Sequence, residues 1–427
     1  MNKQSSISVM LAIGALSLGL GNPAAAATPP AQAGNSQAVL LQGFHWNSSG
    51  YTNPRWYNVL LNNVGDLKGM GFTHVWLPPA SDSAASQGYL PRQLNNLNSA
   101  YGSSAELTNV VRAFTNNGIK AVADVVVNHR VGTTGWSDFT NPNWTLHTIT
   151  PGDDCNCGLG NPDTGIEFGG GRDLDHTNVG EVQNGIINWL NYTLKPVGFS
   201  GMRMDYVRGF GASYAGKYVN AFGAEFCVGE LWDNLDLNNI DAHRQQIMNW
   251  INGTGNSCGA FDFTTKGLIN DALANGNYWR LKDASNKPAG TIGWWPAMSV
   301  TFVDNHDTGP SESCGNGQNH WSVPCGSVMQ GYAYVLSHPG IPTVYYPHIY
   351  NWNLKTPIAA LMAARRAAGV HSSSPVTINQ AVQGLYAATI TGNTRQLAMK
   401  IGPNSWSPSG SGWVLQTSGT NYAVWMK

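Results

Sequence analysis

From about residue 39 onward, short apolar runs alternate with longer amphipathic stretches, and that alternation predicts the fold. The runs at 39–43, 74–77, 121–127, 201–205, 226–230, 260–263, 299–303 and 343–346 have the length of buried strands. Between most of them apolar positions recur at helical spacing, as at 106–116, 182–194 and 327–337. Eight buried strands alternating with helices predict an α/β chain folded as a (β/α)8 TIM barrel. Glycine precedes three of the strands, in Gly71-Phe72, Gly118-Ile119 and Gly198-Phe199, where a left-handed residue ends the preceding helix.

Two segments depart from this pattern. Residues 131–171 lack a helical period and are rich in Gly, Asp, Asn and Pro, which predicts a long insertion domain after strand three. From about residue 377 short alternating runs (384–390, 396–401, 413–416 and 422–426) lie between Gly and Ser turns, the pattern of a C-terminal antiparallel β domain. Lys3, the apolar run 7–20 and the small residues Ala24 to Ala27 make 1–27 an expected export signal. That run is too short to span a bilayer comfortably, and no cysteine near the cleavage point offers a lipid anchor. The expected organisation is then a flexible lead-in at 28–37, a barrel at 38–130 and 172–370, the insertion at 131–171 and the β domain at 371–427, in a secreted protein.

Composition narrows the partners. Only 11% of residues are charged, the net charge is −1, and there are 16 Trp and 16 Tyr. No basic face is available for nucleic acid or an anionic membrane. A neutral, ring-shaped substrate suits this balance, since sugar C–H faces pack on aromatic rings. The six cysteines of an exported chain predict disulfides and admit many pairings. Cys314 and Cys325 bracket a short loop, Cys227 and Cys258 each lie near a strand end, and Cys155 with Cys157 would close a small ring.

The active site of such a barrel lies at the C-terminal ends of its strands. Acidic residues recur there: Asp124, Asp205, Glu230, Asp304 and Asp307. Gathering them on one apolar rim is costly unless a site uses them. Acetal cleavage needs an acid for the leaving oxygen and a carboxylate to meet positive charge at carbon, and Glu230 and Asp205 on adjacent strands suit that pair. The rim alone leaves other chemistry open.

The motifs around these acids are more specific. Asp124-Val125-Val126-Val127-Asn128-His129, Gly201-Met202-Arg203-Met204-Asp205, Val228-Gly229-Glu230-Leu231-Trp232 and Phe302-Val303-Asp304-Asn305-His306-Asp307 follow one another in order, with Leu174-Asp175-His176 near the end of the insertion. Together they resemble the α-amylase family, glycoside hydrolase family 13, over essentially the whole chain from Gln42. On Gln42-Gly43-Phe44, Asp205-Tyr206-Val207-Arg208-Gly209 and Cys227-Val228-Gly229-Glu230-Leu231-Trp232 the likeness is to its plant-type and maltotetraose-forming branches.

The resemblance implies a role for each residue. Asp205 is the expected nucleophile, held ionised by Arg203; Glu230 is the expected general acid and base; Asp307 is the expected transition-state stabiliser. Tyr89, His129, His306, Arg203 and Trp232 are expected to contact the substrate, and Trp294 with Trp295 to form a surface starch site. Asn128, Asp163, Asp173 and the carbonyl of Gly209 match a structural Ca2+ site, an all-oxygen donor set suited to that ion. Glu167 and Asp153 or Asp154 are read as an acidic surface loop, with further ion sites as the alternative. Cys227 and Cys258 match a disulfide of the maltotetraose-forming branch. The implied function is a monomeric, retaining, endo-acting hydrolase of α-1,4-glucosidic bonds in starch and maltooligosaccharides. An exo-acting maltooligosaccharide-forming enzyme and an inactive glucan-binding protein are the alternatives.

Overall fold

The computed structural model describes residues 28–427, so the expected export signal lies outside the described residues. Eight parallel strands close into a barrel in sequential order. They are β1 (Leu40–Gln42), β2 (His74–Trp76), β3 (Lys120–Val125), β4 (Phe199–Met204), β5 (Phe226–Gly229), β6 (Gly259–Phe261), β7 (Ser299–Phe302) and β8 (Ile341–Tyr345). Their residues are buried almost without exception, which explains why they read as continuous apolar runs rather than alternating ones. The helices pack outside; α1 (Trp56–Met70), α2 (Ser104–Asn116) and α3 (Asn184–Trp189) cover the first half. Then come α4 (Ala212–Phe222), α5 (Ile240–Gly253), α6 (Phe263–Asn275) and α7 (Val328–Ser337). The expected glycines do end helical segments in the left-handed region: φ is 98° at Gly71, 70° at Gly118 and 111° at Gly198. No helix among the described residues is long and apolar enough to cross a membrane.

After β3 the chain leaves the barrel, and a two-residue ribbon returns it, pairing His129 with Asp173 and Arg130 with Arg172. Arg130 pins this excursion. Its buried guanidinium lies between the rings of Phe139 and Trp144, 4.8 and 4.4 Å from their centroids, and donates to the carbonyls of Arg92, Thr140 and Pro142. A charge without a carboxylate partner is thus solvated by carbonyl dipoles and π faces.

The C-terminal sheet has five antiparallel strands: β9 (Val376–Val382), β10 (Leu385–Thr391), β11 (Gln396–Ile401), β12 (Val414–Gly419) and β13 (Tyr422–Met426), in the order 9-10-11-13-12. Edge strand β9 is largely exposed, and a bulge between Ile378 and Gln380 breaks its alternation. The inner face of the sheet (Tyr386, Met399, Ile401, Val424) joins the same apolar cluster as the barrel helices, so one core holds both parts. Residues 28–37 correct the expectation of a flexible lead-in. Pro30–Gln32 forms a 3-10 turn, and Gln32 is buried with its Nε2 donating to the Cys227 carbonyl at 2.5 Å. Three disulfides form: Cys155–Cys157, Cys227–Cys258 and Cys314–Cys325.

Candidate active site

The parallel ladder sets the acidic residues at the rim. Asp205 follows β4 directly and donates its N–H to Val125 O; Glu230 follows β5 and donates to Met204 O, both at 3.0 Å. These bonds fix the two carboxyls side by side. Tyr206 adopts φ 44°, a left-handed conformation rare for a bulky residue, and this turn aims its N–H at Glu230 Oε2, 3.4 Å away.

One guanidinium organises the cluster. Arg203, fully buried, places Nη1 2.7 Å from Asp124 Oδ1 and 2.8 Å from Asp205 Oδ1, and Nη2 2.7 Å from Glu230 Oε1. The last pair is close but off the hydrogen-bonding direction, so it is a charge contact rather than an aligned bond. Asp124 is a brace, accepting also from Trp76 Nε1 at 3.0 Å and Tyr89 OH at 2.9 Å. Asp304, the other rim acid, is paired away from the cluster with buried Lys266 at 2.7 Å.

A single cation cannot hold several buried carboxylates ionised at once. Burial pushes Asp205 well up, Arg203 pulls it down, and Glu230, Asp124 and Asp307 push it up again, for a net rise. Arg203 thus acts on Asp205 in the expected direction, against burial and the three neighbouring carboxyls. Burial, followed by the Glu230 charge, lifts Asp307 to about 8. His306 is driven well below its ordinary value by burial and Arg203, so its contact with Asp307 Oδ2 at 3.1 Å is a neutral N–H donating to a carboxyl oxygen. Gln42 Nε2 donates to His306 Nδ1 at 2.9 Å, which assigns the proton to Nε2.

Aromatic rings line the cleft. Tyr89 stacks on His306 at 5.2 Å and 10°, and Trp46 lies parallel to both. Trp232 stacks on Phe263 at 5.5 Å. His129 sits differently from its expected role: Nε2 lies 2.8 Å from the Tyr89 carbonyl, and Phe168 covers its ring at 4.1 Å. Burial lowers it to about 4, so it is a neutral wall residue whose Nε2 is already engaged.

Beside the insertion a second cluster gathers Asn128, Asp163, Asp173 and Gly209. Asn128 Oδ1 and Asp163 Oδ2 are buried without a partner. Burial and the charges of Asp163 and Asp153 raise Asp173 to about 7, against the pull of the Phe168 N–H. A Cβ on Gly209 would lie 2.1 Å from Asn128 Oδ1, so only glycine lets this backbone close on the amide. Among the described residues no group of three His, Cys, Asp or Glu side chains is placed to hold a metal, and this cluster offers two carboxylates, one amide and a carbonyl instead. Its unpartnered oxygens fit a hard cation such as Ca2+.

Family comparison agrees with this geometry. Residues 367–426 match the alpha-amylase C-terminal beta-sheet domain, and 60–143 match the alpha amylase catalytic domain. A probable alpha-amylase 2 of Arabidopsis thaliana is 43% identical, covering 92% of this chain and 95% of that protein. The chain belongs to the α-amylase family. A glucan 1,4-alpha-maltotetraohydrolase of Stutzerimonas stutzeri is 32% identical over 87% of this chain and 69% of its own length. The fold of a Geobacillus thermoleovorans alpha-amylase, solved with acarbose, superposes with a TM-score of 0.66 at 16% identity, covering 91% of this chain and 97% of that one.

Other expected positions of this amylase-family chain differ in exposure and partners. Trp294 is 40% exposed and carries the Arg244 guanidinium 3.9 Å over its ring, whereas Trp295 packs partly on the core. Asp153 and Asp154 both pair with Arg172 and tie the insertion to the returning ribbon. Sequence reading missed Trp46 and Phe168. Trp46 stood only four residues past Gln42, next to a quoted motif; Phe168 had no local signal, because the insertion brings it over His129.

Proposed function

We propose that the chain is a secreted, retaining hydrolase of internal α-1,4-glucosidic bonds in starch-like glucans. The observation that carries this reading is the seating of Asp205 and Glu230 on the two terminal nitrogens of one guanidinium. Such sharing favours the ~5–5.5 Å carboxyl separation of a retaining enzyme over the wider ~6.5–9.5 Å of an inverting one. Glu230 gives its proton to the glycosidic oxygen as that bond breaks, and Asp205 forms the bond to the sugar carbon. Water, deprotonated by Glu230, then releases the sugar from Asp205. An ionised Asp205 is needed for attack, and Glu230, protonated as the acid, then no longer adds the charge that raises its neighbour. Asp307 and neutral His306 bind sugar hydroxyls, Tyr89 stacks on the ring, and Trp232 flanks the leaving-group side.

Asn128, Asp163, Asp173 and the Gly209 carbonyl would hold Ca2+, whose charge would compensate the insertion carboxylates and bind the insertion to the barrel. The solvent-facing side of Trp294 is the surface position open to starch. The protein acts as a monomer after removal of its export signal.

Asp205→Asn tests the assignment: it should abolish the loss of iodine staining on soluble starch while the melting curve keeps its shape. Full activity in that variant would defeat the mechanism. Endo action predicts that staining falls well before reducing ends accumulate; release of a single short product from the start would favour the exo reading.

A further inference from the structure

One disulfide of the insertion is placed unlike the other two. Cys155 and Cys157 are joined across a single residue, Asn156, which takes the left-handed conformation with φ 49°. Both cysteines are half-buried, whereas Cys227 and Cys258 are wholly enclosed in the apolar core. We propose that this pair is a redox-sensitive latch, and that opening it with a dithiol reductant weakens the hold of the insertion on Ca2+. It rests on the reading of Asp173 as a ligand of that ion.

The latch acts through Asp153. This buried carboxylate accepts at Oδ1 from the Cys155 N–H at 3.1 Å and from Arg172 Nη1 at 2.7 Å. At Oδ2 it accepts from the Asp173 N–H at 3.0 Å. One side chain thus ties the backbone of the disulfide turn to the backbone of an expected ligand. A second route closes the circuit: Cys157 Sγ touches Ser137 Oγ at 3.4 Å, and that hydroxyl accepts from Arg172 Nε at 3.0 Å. The ring of contacts from Cys155 through Asp153, Arg172 and Ser137 to Cys157 is completed by the S–S bond. Such networks fix position when every link is made.

What holds Asp173 also holds the cleft wall. Asp173 pairs with His129 in the ribbon, and its Oδ1 accepts from Asn128 Nδ2 at 2.8 Å. Its Oδ2 accepts from the Phe168 N–H at 2.7 Å, and the Phe168 ring covers His129.

Opening the latch is simple chemistry. The dithiol gives two electrons and two protons; the Cys155–Cys157 bond breaks to two thiols, and the reductant closes to its own disulfide. Loop-closure stabilisation grows with the number of residues enclosed. A bond across a separation of 2 therefore gives up less than those across 11 and 31, and its release leaves the barrel folded.

The test treats the full-length, calcium-loaded protein with graded dithiothreitol, then blocks free thiols with iodoacetamide for peptide mass analysis. Cys155 and Cys157 should be labelled together while Cys227 and Cys258 stay unlabelled. Calcium should then pass to a fluorescent chelator about tenfold faster, the scale expected when a ligand loses its outer support, and Tm should fall. Cys155→Ser combined with Cys157→Ser should release calcium as fast as the reduced wild type and ignore the reductant. Asp153→Asn keeps the disulfide but cannot accept from the Asp173 N–H through its amide nitrogen; it should speed release likewise and blunt the response to reduction. Cys314→Ser combined with Cys325→Ser should respond as the wild type does. Unchanged calcium release after Cys155 and Cys157 are labelled overturns the inference, as does a response that vanishes in the Cys314→Ser, Cys325→Ser protein. If the oxidised wild type holds no calcium by metal analysis, the reading of Asp173 falls and takes the inference with it.

Discussion

Replacing Asp307 with Asn should make the protein more stable and nearly inactive, and the stability gain should depend on pH. Its carboxyl has an ordinary value of 3.8 and is lifted to about 8, chiefly by burial and then by Glu230. A raised carboxyl favours the native state only while it is protonated there. Below about pH 4 both states hold the proton; between about 4 and 8 the unfolded chain has lost it and the native chain must keep it, so stability falls as pH rises. At ~1.4 kcal/mol per tenfold change in proton affinity, the ceiling of this penalty at pH 7 is about 4 kcal/mol. Asp124 and Asp205 are raised beside it, so about 1–3 kcal/mol of this ceiling should be recovered by Asn, which has nearly the same shape and no charge. Denaturant titrations of both proteins at pH 4, 6 and 8 measure this directly. The variant's advantage should be near zero at pH 4 and largest at pH 8, while kcat on soluble starch falls by about a thousandfold. A variant that is less stable at pH 8, or equally shifted at all three pH values, would refute the electrostatic reasoning.

Other predictions follow from single contacts. Gly209→Ala would set a methyl 2.1 Å from Asn128 Oδ1 and should cost about 1–3 kcal/mol, read as a lower Tm, with weaker calcium retention by metal analysis. Chelation of the wild-type protein should lower Tm as well; an unchanged melting curve counts against Asn128, Asp163 and Asp173 as ligands. Arg130→Met would leave the carbonyls of Arg92, Thr140 and Pro142 without their donor and should cost about 2–4 kcal/mol, with faster proteolysis confined to residues 131–171. Gln42→Leu removes the donor that sets the His306 tautomer, and should lower kcat about tenfold or more with little change in KM. Equal loss in both parameters would show that Gln42 serves only packing.

Much of this was legible along the chain because its causes are local. Buried parallel strands leave continuous apolar runs, helix ends leave glycines, and acids placed after a strand leave the motifs Gly201 to Asp205 and Val228 to Trp232. The C-terminal sheet announced itself by period two, except at β9, where a bulge between Ile378 and Gln380 breaks the alternation begun by Val376 and Ile378. The resemblance implied the Cys227–Cys258 disulfide, whereas the pairings of Cys155 with Cys157 and Cys314 with Cys325 became definite only in the folded structure.

What the sequence alone determined was the set of elements, their order and the residue types at the strand ends, since each follows from the preferences of neighbouring residues. Tertiary structure decided the rest, because burial and charge sum over residues far apart in the chain. It seated Gln32 beneath Cys227, spread one guanidinium over Asp124, Asp205 and Glu230, turned His129 toward a backbone carbonyl, and set Arg244 over the ring of Trp294. The upward shift of these carboxyls belongs to no single motif. It arises because four strand ends deliver their acids to one apolar rim with a single buried cation among them.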